Sequence, residues 1–242
     1  MAGKIECYVD IASLYSYLAF LEILRNRDIL ASHSIEVEFR PFLLGAINAG
    51  SGNKPPWTLP AKAVYGIFDA DRAISRFPGL QIQFPKDLMS ISLTVLPLRA
   101  LHYIKRNYPE PAFFSTLHYL FHVFWSPPNI DLTKPENVVK ALGEVTVGYS
   151  GGEPQGDKLF SQDEVWKILE AAGSKEMKDA MRSATEQALK QGAFGAPWLW
   201  VTNEEGKTEP FFGSDRFHFI FKFLGLPFQD IKLLPATESS KL

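Results

Sequence analysis

The 242-residue sequence predicts an α/β fold made of two separated pieces, a βαβ unit near the amino terminus and a ββα unit near the carboxyl terminus, with a long all-helical stretch between them. Three observations carry this reading. Strand-like apolar runs occur only near the two ends, helix-period apolar spacing fills the middle, and Gly and Pro cluster where the pieces join.

Residues 5–9 read as a short strand, 13–27 as a helix with Leu14, Tyr17, Leu18, Leu21 and Leu24 on one face, and 35–39 as a second strand. A connection of that length between parallel strands crosses over right-handedly, so the helix starts at the carboxyl edge of the sheet, where ligands tend to bind. The run Gly-Ser-Gly-Asn-Lys-Pro-Pro-Trp at 50–57 is turn chemistry: glycine permits positive φ, and two prolines stop both helix and ladder. It closes the first half.

From 63 to 190 the signals are mostly helical, with Phe114, Leu117, Phe121 and Phe124 on one face and capping boxes expected at Thr133 with Glu136 and at Ser161 with Glu164. No strand pattern interrupts them. Residues 198–202 and 209–212 form a hairpin around Asn203-Glu-Glu-Gly206, and a helix over 215–223 follows. This order describes a thioredoxin fold split by a helical domain: residues 1–62 and 191–242 form the thioredoxin-like domain, and 63–190 the insertion.

Composition narrows the function. An apolar content of 46% is enough for a sizeable core, and a net charge of -2 without runs of like charge provides no footprint for nucleic acid or an anionic membrane. The first residues carry charges where a secretory segment needs an apolar region, and no apolar run approaches a membrane span of about 18 residues, so a soluble, non-secreted protein is expected. The single cysteine, Cys7, reads as a small core residue; it excludes an internal disulfide, a Cys-x-x-Cys redox pair and a cysteine-rich zinc site. Thiol chemistry here needs a thiol from outside. Ser240-Lys241-Leu242 is the terminal tripeptide read by peroxisomal import receptors, which predicts that location and that partner.

Ser13 stands just after the first strand at the expected cap of the first helix, where backbone N–H groups and the helix dipole favour an anion such as a thiolate. It is also, more simply, a helix cap. Ala196-Pro197 lies between a glycine-rich approach and a strand, and there a cis bond is expected. In a thioredoxin fold this proline faces the start of the first helix, leaving the preceding backbone N–H and C=O for a peptide-like ligand. Ser214 and Asp215 either cap the last helix or bind the charged end of a γ-glutamyl group. His118 and His122 share a helix face at the spacing of two metal ligands, but no third ligand is evident, and no metal is expected.

The run Asp10-Ile-Ala-Ser-Leu-Tyr-Ser-Tyr17 resembles the Asp-x-x-Ser-Pro-Tyr-Ser-Trp/Tyr signature of the kappa-class glutathione transferases and the related 2-hydroxychromene-2-carboxylate isomerases. Further matches follow in family order across nearly the whole chain. They are Arg40-Pro41, Ser51-Gly-Asn-Lys-Pro-Pro56 with Leu59-Pro60 and Lys62, Phe84-Pro85-Lys86, Gly192-Ala-Phe-Gly195 with Pro197, and Gly213-Ser-Asp-Arg216. The resemblance implies a DsbA-like fold, a homodimer, and glutathione as co-substrate; a small apolar electrophile is the acceptor expected here. It assigns Ser13 to the glutathione sulfur, lines the site with Tyr15 and Asn53, and sets Lys62 close by. Ala196, beside Pro197, would pair with the cysteinyl unit, while Ser214 and Asp215 hold the γ-glutamyl end. Leu14 departs from the family proline, and Ala196 replaces a larger residue. Trp57 and Trp198 are expected to line the acceptor pocket.

Ionising the thiol is only part of such catalysis. A free thiol of pKa about 8.5 is roughly 3% ionised at pH 7, and lowering the pKa by about two units makes it mostly thiolate. Nucleophilicity falls alongside, leaving only about a threefold gain in rate, so positioning the acceptor must supply more. Two rivals remain: a glutathione-dependent cis-trans isomerase, and a thioredoxin-like module that binds peptides without chemistry.

Overall fold

The computed structural model describes residues 3–229. Its elements are β1 (Lys4–Val9), α1 (Leu14–Ser32), β2 (Glu36–Pro41), α2 (Leu44–Ser51), a 3-10 turn (Pro56–Thr58), α3 (Pro60–Ser75), α4 (Leu88–Ile91), α5 (Val95–Asn107), α6 (Glu110–Trp125), α7 (Pro135–Glu144), α8 (Gln162–Gly173), α9 (Lys175–Lys190), β3 (Trp198–Thr202), β4 (Thr208–Phe212) and α10 (Phe217–Phe223). The four strands form one sheet in the order β2-β1-β3-β4, with β1 and β2 parallel and the other pairs antiparallel. The parallel β1–β2 pair and the β3–β4 hairpin are as expected, the antiparallel β1–β3 pairing joins them into one sheet, and the architecture is DsbA-like α/β with a helical insertion.

β1 is central because it can bury both faces. Ile5, Cys7 and Val9 point into the main core while Tyr8, on the opposite face, packs with Phe42, Ile47 and Trp198. The outer strand β4 is largely exposed and carries Pro210, which suits a strand with one unpaired side. Between sheet and insertion, α1 is buried on most sides, and Tyr17 stacks on Phe121 of α6 with ring centroids 5.0 Å apart. Phe114, Leu117, Phe121 and Phe124 are all buried, each contributing about 2 kcal/mol of apolar burial.

Four local expectations differ from the structure. α1 runs five residues past the predicted end at 27, since residues 28–32 keep helical pairing. α2 was not foreseen in its apolar but glycine-rich sequence; it ends where Gly52 adopts φ 75°. Thr133 caps nothing: its N–H and hydroxyl both go to Asp131 Oδ1, and Pro135 at the first helical position starts α7 after Lys134. The Ser161–Glu164 capping box is present. Finally, α10 begins at Phe217, with Arg216 before it and no side-chain cap, so neither Ser214 nor Asp215 caps the helix.

Candidate functional site

The crossover from β1 into α1 positions Ser13 at the carboxyl edge of the sheet. Its φ and ψ of -106° and 112° are those of an N-cap, and its Oγ accepts from the Ser16 backbone N–H at 3.1 Å. The same hydroxyl donates to the Ala196 carbonyl at 3.2 Å, across 183 residues of sequence. Ala196-Pro197 is cis, as expected from the sequence. The helix start and the cis-proline loop are therefore in direct contact.

Beneath Ser13 lies a residue whose role the sequence reading passed over. Asp10 opens the quoted signature, yet its importance shows only in three dimensions: it is 1% exposed and anchors the β1–α1 loop. Its Oδ1 accepts from Ala12 N–H at 2.9 Å and Thr94 Oγ1 at 2.8 Å, and its Oδ2 accepts from Leu44 N–H at 2.7 Å. The Asp10 carbonyl accepts from Ser13 N–H at 3.0 Å. Burial pushes its carboxyl up to about 6, with the three hydrogen bonds opposing that rise. Trp125 holds the next turn, donating from Nε1 to the Ile11 carbonyl at 2.8 Å.

Other candidates gather around this point. Asn53 Nδ2 donates to the Phe194 carbonyl at 2.6 Å, which ties the loop after α2 to the approach to Pro197. Gly213 N–H donates to the Pro197 carbonyl at 3.3 Å, so Ser214 and Asp215 follow directly from the cis-proline loop. Ser214 is buried, while Asp215 pairs with Arg216 at 2.5 Å. Tyr15 donates from its hydroxyl to Asp69 on α3 at 2.5 Å. Burial and Asp69 raise the Tyr15 phenol, and Asp215 is near enough to add to the rise. Asp69 is a second residue that sequence reasoning missed, because nothing in its local pattern links it to Tyr15, 54 positions away.

Two candidates stand apart. Lys62 is exposed on the first turn of α3, and no ion pair or hydrogen bond to it is found among the described residues. Trp198 is buried with Tyr8, Phe42 and Ala196 in the small cluster behind the sheet, not open beside Ser13, whereas Trp57 is 45% exposed. Cys7 is fully buried, and burial raises its thiol. Among the described residues no group of three or more His, Cys, Asp or Glu side chains is placed to hold a metal.

The arrangement offers a helix N-terminus, a hydroxyl aimed at the Ala196 carbonyl just before the cis proline, and an anchored loop beneath them. Such a site can stabilise an anion and pair with an extended peptide. It has no cysteine at the helix start, so the mixed disulfide of a dithiol oxidoreductase cannot form there.

Comparison with known proteins agrees with this geometry. A family model described as a DSBA-like thioredoxin domain matches residues 4–147. Human glutathione S-transferase kappa 1 is 31% identical over 91% of this chain and 90% of its own length, and the Caenorhabditis elegans protein of the same name is 28% identical over 93% and 92%. Among solved structures, a 2-hydroxychromene-2-carboxylate isomerase superposes with a TM-score of 0.68 at 17% identity, covering 92% of this chain and 94% of its own. A probable DsbA oxidoreductase from Streptomyces coelicolor gives 0.61 at 16% identity, covering 97% and 94%. These two likenesses show the fold. With a domain match over more than half its residues and a full-length relative above 30% identity, the chain belongs to the DsbA-like thioredoxin-domain family and to the kappa glutathione S-transferases.

Proposed function

We propose that this protein is a kappa-like glutathione transferase that activates glutathione as a thiolate for attack on apolar electrophiles, a detoxification chemistry. The observation that carries the reading is the 3.2 Å contact between Ser13 Oγ and the Ala196 carbonyl, which unites the two halves of a thiol site. When glutathione binds, the Ser13 hydroxyl turns from that carbonyl to the sulfur, and the backbone of Ala196 pairs with the cysteinyl unit. The N–H groups at the start of α1 add a favourable field for the anion. Tyr15 and Asn53 line the site with Lys62 close by, and Ser214 and Asp215 take the γ-glutamyl end. Their freedom from helix capping supports that role.

Exposed Trp57, Leu59, Val64, Tyr65, Ile67 and Phe68 support both an apolar acceptor and a second copy of the chain packed against α3. We place the protein in the peroxisome on the strength of Ser240-Lys241-Leu242, which lies outside the described residues.

The deciding experiment titrates the protein with glutathione across pH while following ultraviolet thiolate absorbance. A saturable thiolate signal below the free-thiol pKa supports the activating site. Its absence overturns the reading and favours a peptide-binding module. Once an acceptor is found, consumption of glutathione with product marks a transferase, and its full recovery marks an isomerase.

A further inference from the structure

The network beneath Ser13 joins the starts of three helices at one buried residue, Asp10. α1 meets it through Ser13 N–H, which donates to the Asp10 carbonyl at 3.0 Å, and through Ser16 Oγ, which accepts from Asp10 N–H at 3.4 Å. α2 meets it through its first residue, Leu44, whose N–H donates to Asp10 Oδ2 at 2.7 Å. Leu43, just before α2, has no side chain to cap the helix, so Asp10 supplies the acceptor from 34 positions away. α5, a helix of the insertion, meets it through Thr94, whose hydroxyl donates to Asp10 Oδ1 at 2.8 Å.

Thr94 is the unusual member. It stands at the N-cap of α5, where a threonine hydroxyl ordinarily accepts from its own helix, yet it makes no such bond. The hydroxyl goes instead to a carboxylate 84 positions earlier, and the residue is 0% exposed. α5 thus forgoes a cap for a bond to the loop that carries Ser13, and a bond to a carboxylate is shorter and stronger than a neutral one. The same Oδ1 accepts from Ala12 N–H at 2.9 Å, immediately before Ser13. Two hydrogen bonds on one oxygen therefore connect the insertion to the start of α1.

We propose that Thr94 is a positioning residue for the thiol site: by clamping Asp10 it fixes where the β1–α1 loop presents the Ser13 hydroxyl to the glutathione sulfur. This role rests on the glutathione reading above. A reactive group is held within about 0.5 Å of its productive geometry by hydrogen bonds that lock its supports. A bond from the hydroxyl to a thiolate weakens as distance grows and alignment is lost. With the Thr94 hydroxyl removed, Asp10 keeps its bonds to Ala12 and Leu44, so the fold stands while the loop gains freedom. Ser13 then stabilises the bound anion less, and the thiol pKa rises.

The test measures the pKa of glutathione bound to the full-length protein by ultraviolet thiolate absorbance. Thr94→Val removes the hydroxyl and keeps the shape; it should raise that pKa by at least about half a unit, roughly a threefold shift in the ionisation equilibrium. Thr94→Ser keeps the hydroxyl and should restore the wild-type value. Val138→Ala, which opens a cavity on α7 within the insertion, should lower stability and leave the thiol pKa unchanged, separating positioning from general loosening. If Thr94→Val does not fold, Thr94→Ala, which also lacks the hydroxyl, carries the test. An unchanged pKa in the hydroxyl-free variant, or an equal rise in Thr94→Ser or Val138→Ala, would overturn the proposal and leave the glutathione reading standing. Absence of a saturable thiolate signal in the wild type would overturn both.

Discussion

Replacing Ser13 by alanine separates its two roles, because the structure shows the hydroxyl making two bonds that can be weighed. One is the cap to Ser16 N–H at 3.1 Å, whose loss costs about 1 kcal/mol. The other is the bond to the Ala196 carbonyl at 3.2 Å, a neutral pair whose loss costs about 1 kcal/mol more. A total near 2 kcal/mol lowers Tm by roughly 4 to 8 °C in a domain of this size. The chemical role has a different magnitude. A hydroxyl bonded to a thiolate is a charge-assisted interaction of about 1.5 to 3 kcal/mol, so Ser13→Ala should raise the pKa of bound glutathione by roughly one to two units. Ser13→Thr keeps both the hydroxyl and the cap and should restore most of the shift. The assay pairs thermal unfolding with the ultraviolet thiolate titration. A fall in Tm of the expected size with an unchanged thiol pKa would falsify the activating role and leave Ser13 as a cap alone.

Three further outcomes are expected. Asp10→Ala strands three donors beneath the site and should cost about 3 kcal/mol in urea unfolding at pH 7, with the relief of a desolvated carboxylate already offsetting part of the loss; a change below about 1 kcal/mol would show that the loop does not depend on it. His102 is bonded to the Pro41 carbonyl at 2.8 Å, and burial lowers it to about 4. Its charged form is disfavoured by folding, so its contribution is complete above the unfolded pKa of about 6.5 and is lost as pH falls toward 4. In His102→Gln, stability plotted between pH 6 and 4.5 should fall less steeply than in the wild type, by close to one proton; identical slopes would contradict the assignment. The Tyr15–Asp69 bond predicts a coupling of about 1 to 2 kcal/mol in a double-mutant cycle of Tyr15→Phe and Asp69→Ala, measured by urea unfolding, whereas additive losses would mean that α3 is held by its other contacts.

The pattern along the chain was enough to determine the sheet, the helical insertion, the cis bond before Pro197 and the cap at Ser13, because each depends on local periodicity or on the chemistry of one or two residues. Even the family signature from Asp10 to Tyr17 is contiguous. What tertiary structure alone decided are the meetings of distant residues: Ser13 with Ala196, Asn53 with Phe194, Tyr15 with Asp69, and Asp10 with Leu44 and Thr94. Local rules also failed where a neighbour competed. Asp131 claimed the Thr133 hydroxyl, the turn at Gly213 used Ser214 and Asp215 before α10 began, and the sheet buried Trp198 on its far face. The physical reason is the same in each case. A side chain's conformational preference is fixed by its immediate backbone, but its partner is fixed by which elements the core brings together, and that depends on the burial of the whole chain.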